Sequence, residues 1–168
     1  TLVTGLGGFR SVVTPLPGGT GRRWLALGPS GADRTEDDGK TWTKDEEMPD
    51  SFAWLPRNAA FTMKDGRFAL PISGHVDSVY AGFLLVLEPD NTNWKRIGLM
   101  PGGEQPTVIQ RDNGELLSLM RGHPKVKESI SSDDGVTWTT PRDTELNCPD
   151  SGIAATKLAM TCSDLKAR

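Results

Sequence analysis

The sequence predicts an all-β chain built from repeated four-stranded antiparallel sheets, and three observations predict it. Two stretches, Thr35-Glu36-Asp37-Asp38-Gly39-Lys40-Thr41-Trp42 and Ser131-Ser132-Asp133-Asp134-Gly135-Val136-Thr137-Trp138, share the pattern S/T-x-D-x-G-x-T-W. Trp42, Trp94 and Trp138 recur 52 and 44 residues apart, near the roughly 40 to 50 residues of one four-stranded blade in a β-propeller. Short apolar runs alternate with turn signals throughout, in a chain with 19 Gly and 12 Pro. No stretch keeps a 3.6-residue apolar period over three turns, so helix should be nearly absent.

The eight-residue pattern suits a hairpin tip. The Asp side chain accepts hydrogen bonds from nearby backbone N–H groups, and the Gly supplies the φ > 0 position of a tight turn. Thr and Trp then open a strand, with the ring closing over the turn. Asp37, Gly39, Trp42, Asp133, Gly135 and Trp138 are therefore structural residues, and catalysis belongs elsewhere. Asp90-Asn91-Thr92-Asn93-Trp94 reads as an eroded copy, with Asn in the turn position.

The strands follow in order. A first unit, about 9–46, has runs at Ser11 to Leu16, Trp24 to Gly28, Ala32 to Thr35 and Thr41 to Lys44. A second, about 55–98, has Ala59 to Met63, Phe68 to Ile72, Val79 to Leu87 and Trp94 to Ile97. A third, about 104–141, has Pro106 to Gln110, Leu116 to Arg121, Val126 to Ser131 and Thr137 to Thr140. Asp65-Gly66 and Asn113-Gly114 are hairpin turns joining first to second strands. A lone first strand is expected at 152–160. The reading is one partial propeller over residues 1–168, of three blades and a fraction. Trp24, Phe52 and Trp54 are expected to pack between blades.

Composition narrows the function classes. A formal net charge of -3 gives no basic footprint for nucleic acid or an anionic membrane. No apolar run reaches transmembrane length. Cys148 and Cys162 lack metal-ligand spacing. Whether they form a disulfide or remain two buried thiols stays open. No metal or cofactor is expected.

The eight-residue pattern is the Asp-box signature, and from about residue 55 to 158 the chain resembles bacterial sialidase-like proteins of the BNR-repeat type. The resemblance runs through Leu55-Pro56-Arg57-Asn58-Ala59, Asp65-Gly66-Arg67-Phe68-Ala69-Leu70-Pro71, Gly103-Glu104-Gln105-Pro106-Thr107, Gly114-Glu115-Leu116-Leu117 with Met120-Arg121, and Pro149-Asp150-Ser151-Gly152-Ile153. Residues 1 to about 50 are instead similar to BNR-like proteins related to the photosystem II assembly factor, through Phe9-Arg10-Ser11-Val12-Val13 and Gly28-Pro29-Ser30-Gly31-Ala32-Asp33.

In such a fold, starts of first strands and ends of second strands share one face. That places Arg10, Arg57, Glu104, His75, Arg121 and Asp150-Ser151 together, opposite the Asp boxes. The resemblance gives Glu104 the place of the glutamate that activates a nucleophilic Tyr. It gives Arg121, Arg57 and Arg10 substrate-binding places, since guanidinium groups pair with carboxylates in a bidentate way. Structural or surface roles for these residues, and solvated loops for His75 and His123, are the competing readings. The one Tyr, Tyr80, lies outside a nucleophile's context, and Asp33 and Asp77 read as loop acids.

Two functions of different class follow. One is a sialidase-like propeller, inactive as an isolated chain, that meets a sialoside or another glycan. The other is a non-catalytic propeller module for glycan or protein binding, or a recombined scaffold that assembles. The resemblance favours a secreted or periplasmic place. Three and a fraction blades leave unpaired edges, with no polar cap expected at Leu2-Val3 or at the final strand, so self-association is expected.

Overall fold

The computed structural model describes residues 5–17, 21–45, 55–89 and 94–157, and structural statements refer to these. They form thirteen strands and no helix. The first blade is β1 (Val12–Pro15), β2 (Trp24–Gly28), β3 (Gly31–Thr35) and β4 (Thr43–Lys44), in that spatial order. The second is β5 (Leu55–Pro56), β6 (Phe61–Thr62), β7 (Phe68–Val76), β8 (Val79–Leu87) and β9 (Trp94–Pro101). There β5 and β6 both pair with β7, so the innermost strand is broken in two. The third runs β10 (Glu104–Gln110), β11 (Leu116–Arg121), β12 (Lys125–Ser131), β13 (Arg142–Asn147). All pairings are antiparallel. The chain is therefore an all-β stack of blades that does not close into a ring.

The middle blade holds the core. Leu70, Ile72, Phe83, Leu85 and Leu87 meet Leu16, Leu25, Leu27 and Ala32 of the first blade. Ala69, Leu84 and Val86, on the opposite face, meet Val108 and Leu116 of the third. Burial on both sides explains why β7 and β8 read as nearly continuous apolar runs rather than alternating ones. Phe83 is fully buried, and such a side chain contributes about 1.5–3 kcal/mol. The shared core also joins the two halves of the chain that resemble different relatives.

Both eight-residue motifs fold into the same turn. Asp37 Oδ1 accepts from the N–H groups of Lys40 and Thr41 at 3.0 and 2.9 Å, and Thr41 Oγ1 donates to Oδ2 at 2.7 Å. Asp133 takes the Thr137 N–H at 2.9 Å and the Thr137 hydroxyl at 2.6 Å. Gly39 and Gly135 have φ of 78° and 86°, and each carbonyl accepts the following Trp indole N–H at 3.0 Å. These rings hold Thr137-Trp138 in the turn. The strand expected at Thr137 to Thr140 is therefore absent, and pairing resumes at β13. The same effect delays β4 to Thr43. Trp94 opens β9 and is buried in the core, while Asp90 to Asn93 lie outside the described residues, as do Phe52 and Trp54.

Other expectations need correction. The segment from Gly152 to Lys157 carries no strand, and residues 158–160 lie outside the described set. An innermost propeller strand is held by the second strand of its own blade, and none of the described residues pairs with this segment in that way. The strand read at Ala59 to Met63 shrinks to β6, because the chain breaks between β5 and β6. β7 continues through His75 to Val76, turning at Asp77 and Ser78, both at positive φ (49° and 67°), as a primed hairpin turn demands. Trp24, half-buried, pairs with Pro15 and Thr35, on the face opposite the Leu25 that packs against the second blade.

Part of the outer face of the first blade is covered, against expectation. Asp33, read as a loop acid, lies in β3 beside Ala26 and is fully buried. Arg10 Nε donates to its Oδ2 at 2.6 Å, and the Gly7 N–H donates at 3.2 Å. The backbone of Phe9 and Arg10 crosses close over Gly28. Residues 5–10 thus cover Ala26 and Asp33, while Val13 on the same face stays exposed. On the third blade, Ile109, Leu117 and Ile130 share the outward face and stay half-exposed.

The two turns set an acid sensitivity. Thr137 and Ser131 hydrogen bonds hold Asp133 down at about 2, and those from Thr41 and Thr35 hold Asp37 lower still. Carboxylates depressed in the fold stabilise it above their unfolded pKa near 4 and lose that contribution as pH falls toward 2. Urea midpoints should therefore drop between pH 5 and pH 2.5, and Asp133→Asn should flatten part of that slope. An unchanged slope in the variant would refute the assignment.

Candidate functional site

The strand registers sort the loops between two ends of the stack. Gln110, Leu116 and Ser131 align at one end, next to the Asn113-Gly114 hairpin and the second motif turn. Glu104 aligns with Arg121, and Lys125 with Asn147, at the other. The turns at Pro29-Ser30 and Asp77-Ser78 and the start of β5 belong to this second end as well.

Glu104 sits on a bulge. The β10–β11 register shifts between Glu104 and Thr107, and Gln105 has a φ of 47°, a left-handed conformation costly for a residue with a Cβ. The middle blade holds it there from two sides. The Gln105 N–H donates to Ser73 Oγ at 3.1 Å, which is itself 3.0 Å from the Tyr80 hydroxyl. Asn58 Nδ2 donates to the carbonyls of Gln105 and Pro106 at 3.2 and 3.0 Å. Asn58 reaches them because the chain leaves β5 at Pro56 and does not resume pairing until Phe61. Ser73 and Asn58 are both buried, so these bonds are shielded from competing water.

The bulge delivers Glu104 to Arg121. Arg121 Nη1 donates to Glu104 Oε1 at 2.8 Å, and its Nε donates to Asp150 Oδ1 at 3.0 Å. The hydrogen bond to Asp150, reinforced by the charge of Glu104, holds the guanidinium more firmly protonated than usual. Cys148 lies beside this group, its thiol 3.3 Å from the Ser151 carbonyl. The Gly122 N–H lowers the thiol pKa, burial opposes this, and the Ser151 and Asp150 backbone adds to the lowering. Cys148 is a buried free thiol; Cys162 lies outside the described residues.

Arg57 stands at the same end. Its side chain lies directly over Gly152, where any Cβ would collide with it. It also lines a hollow of about 170 Å³ with Phe9, Ser11, Pro29, Pro56 and Gln105. Of the four residues the sequence singles out for catalysis and binding, Glu104 and Arg121 touch and Arg57 shares their end. Arg10 does not join them, because Asp33 holds its guanidinium on the covered part of the first blade's outer face.

Tyr80 is tied to Ser73, with its ring edge-on to His75 at 5.2 Å. His123 is exposed next to the end of β11. Sequence reasoning missed Asn58, Ser73 and Gln105. Their roles arise between blades, and no local pattern announces them. Among the described residues no cluster of His, Cys, Asp or Glu has metal-binding geometry.

Removing Ser73 or Asn58 side chains should release the bulge. Ser73→Ala leaves the Gln105 N–H unsatisfied, and Asn58→Ala leaves two carbonyls so, each costing about 1–3 kcal/mol in urea unfolding. Gln105→Gly should instead stabilise by roughly 1 kcal/mol, because glycine accepts positive φ. Losses under about 0.5 kcal/mol in both alanine variants, small against that range, would contradict the clamp.

A family model described as a BNR repeat-like domain matches residues 20–162. No curated protein matches the chain. Among solved structures, a protein of unknown function from Dyadobacter fermentans is similar at a TM-score of 0.55 and 18% identity, over 74% of this chain and 40% of its own. The intramolecular trans-sialidase from Ruminococcus gnavus is similar at 0.52 and 16%, over 73% of this chain and 27% of its own. The α-L-arabinofuranosidase from Fusarium graminearum is similar at 0.52 and 11%, over 84% and 50%. The chain thus spans half or less of the length of each. The fold shared with the trans-sialidase is the sialidase-like propeller, and the family match over most of its length makes this chain a member of the BNR repeat-like domain family.

Proposed function

We propose that this chain is a sialidase-like propeller module that binds a glycan at the end carrying Glu104, Arg121 and Arg57, without hydrolysing it alone. The observation that carries this reading is the engagement of Glu104. Its carboxylate is held by Arg121, whereas the Tyr80 hydroxyl is occupied by Ser73. A Glu-activated Tyr nucleophile needs the two within hydrogen-bond reach, and each of these groups instead bonds another partner. What remains is a polar cluster of one guanidinium between two carboxylates, suited to hydroxyl-rich ligands. The motif turns at the far end act as Asp boxes, bracing blades.

Self-association belongs to the same proposal in revised form. Contact between copies would use the outward face of the third blade, where Ile109, Leu117 and Ile130 are half-exposed side by side.

The isolated chain should release no sialic acid from a fluorogenic sialoside, yet bind glycans on an array. Glu104→Ala and Arg121→Ala should each weaken that binding. Turnover abolished by Glu104→Ala would overturn the non-catalytic reading, and an array with no binding would overturn the glycan one. Light scattering at micromolar concentration that gives only an 18.2 kDa species would exclude self-association.

A further inference from the structure

We propose that the groove between the innermost strands of the second and third blades takes an extended peptide, which adds to the free edge of β10 as an extra strand and sets a carboxylate against Lys157. This site runs along the inner side of the stack and is independent of the glycan-binding end.

The free edge follows from the ladder. The Arg111 N–H donates to the Glu115 carbonyl at 2.8 Å, and antiparallel strands exchange hydrogen bonds at every second residue. Ile109 and Thr107, opposite Leu117 and Leu119, therefore bond to β11, while Val108 and Gln110 turn their N–H and C=O groups away from it. Pro106 obeys the same alternation. Its missing N–H falls on the side away from β11, where a strand tolerates proline, and its carbonyl on that side accepts from Asn58 at 3.0 Å. Asn58 caps the edge at that point. Among the described residues none of the outward backbone groups of Val108 and Gln110 has a partner. Val108 is 5% exposed, and its side chain belongs to the core against the middle blade. What it shows the groove is its backbone, in a place where unpaired peptide groups are costly.

The groove has the dimensions of a strand. It offers about 360 Å³ between Ala59 to Thr62 on one side and Ala154 to Lys157 on the other, with β10 as its floor. A strand residue takes roughly 160 Å³, from spacings of about 3.3 Å along the chain, 4.8 Å between strands and 10 Å between sheets, so about two to three residues fit. Val108 and Gln110 present the pairing positions for such a length. Ala59, Ala60, Ala154 and Ala155 keep both walls low. The second wall is tied down at its Ala155 N–H, which donates to Thr107 Oγ1 at 3.2 Å, and at Lys157, which pairs with Asp112.

Charge sets the rest of the ligand. Lys157 is the one charged residue lining the groove, and Lys64 reaches the same Asp112 through its backbone carbonyl. Two ammonium groups thus face a single carboxylate, which leaves this end of the groove net positive. A strand antiparallel to β10, the slightly more stable pairing, starts at this end. The fitting peptide carries an acidic residue first, then small or β-branched residues that suit an extended backbone.

The test titrates the full chain, isotope-labelled, with acetyl-Asp-Thr-Val-Thr-Val-amide and follows amide resonances and hydrogen exchange. The Val108 and Gln110 amides should shift and exchange at least about tenfold more slowly in the complex, a factor matching one added hydrogen bond. The same peptide N-methylated throughout should not bind. Asn in place of the peptide Asp should weaken binding about two- to fivefold, the worth of an exposed ion pair, and Lys157→Gln should remove that difference. Ala154→Trp, at an exposed position of the wall, should fill the groove and abolish binding, with an unchanged melting temperature to show that the variant is folded. No shift at Val108 and Gln110, or equal binding of the methylated peptide, would overturn the added strand. Equal binding of the Asn and Asp peptides would overturn the acidic assignment. Slow exchange at both amides without peptide would also overturn the proposal: independent of protein concentration, it gives the groove to the chain itself, and rising with concentration, to a second copy.

Discussion

Contact between the middle blade and its two neighbours is the constraint on which the other features depend. A four-stranded sheet of this size cannot bury an apolar face alone, and among the described residues each outer blade has one neighbour to bury it against. The middle blade therefore carries apolar residues on both faces, with Leu25 and Leu27 on one side and Val108 and Leu116 on the other. Because the blades lie face to face, their edges and loop ends come into line. Ser73 and Asn58, both in the middle blade, then find the backbone of Gln105 in the third. Ser11 in the first blade likewise donates to the Pro56 carbonyl in the second at 2.8 Å. The polar end is a by-product of apolar stacking, positioned by it to within hydrogen-bond distance.

Local chemistry made most of the strands legible. Asp65-Gly66 and Asn113-Gly114 announce their hairpins through residues that accept positive φ, and the paired motifs announce their turns through Asp and Gly at fixed offsets. Those turns also explain where the reading overran. Trp138 looks like a strand residue by propensity, but its indole is bonded back to Gly135 and keeps the chain out of the ladder. The Asp77-Ser78 turn lacks glycine, so no turn signal marked it and β7 was read four residues short. Position within a blade was legible for Glu104 and Arg121 because cross-strand partners follow from strand order alone.

What was not legible depends on contacts between distant segments. Arg10 looks like a site arginine by sequence, yet Asp33, 23 positions on, captures it. A fully buried aspartate in a strand is costly without a cation, and only the fold reveals which cation answers it. Gln105 likewise gives no sign in sequence of its left-handed backbone, since residues with a Cβ seldom adopt it. The bulge exists because two buried side chains from another blade outweigh the local preference. Strain of that kind is found where surrounding structure over-determines the backbone.

The ion pair between Asp33 and Arg10 gives the outward face of the first blade a different chemistry from that of the third. One face buries a carboxylate under its own chain, while the other presents half-exposed Ile109, Leu117 and Ile130. Loosening residues 5–10 would strand that carboxylate without its cation, a state far costlier than a bared aliphatic side chain. Local opening at this segment is therefore coupled to the rest of the first blade, and hydrogen exchange there would follow the blade as a unit.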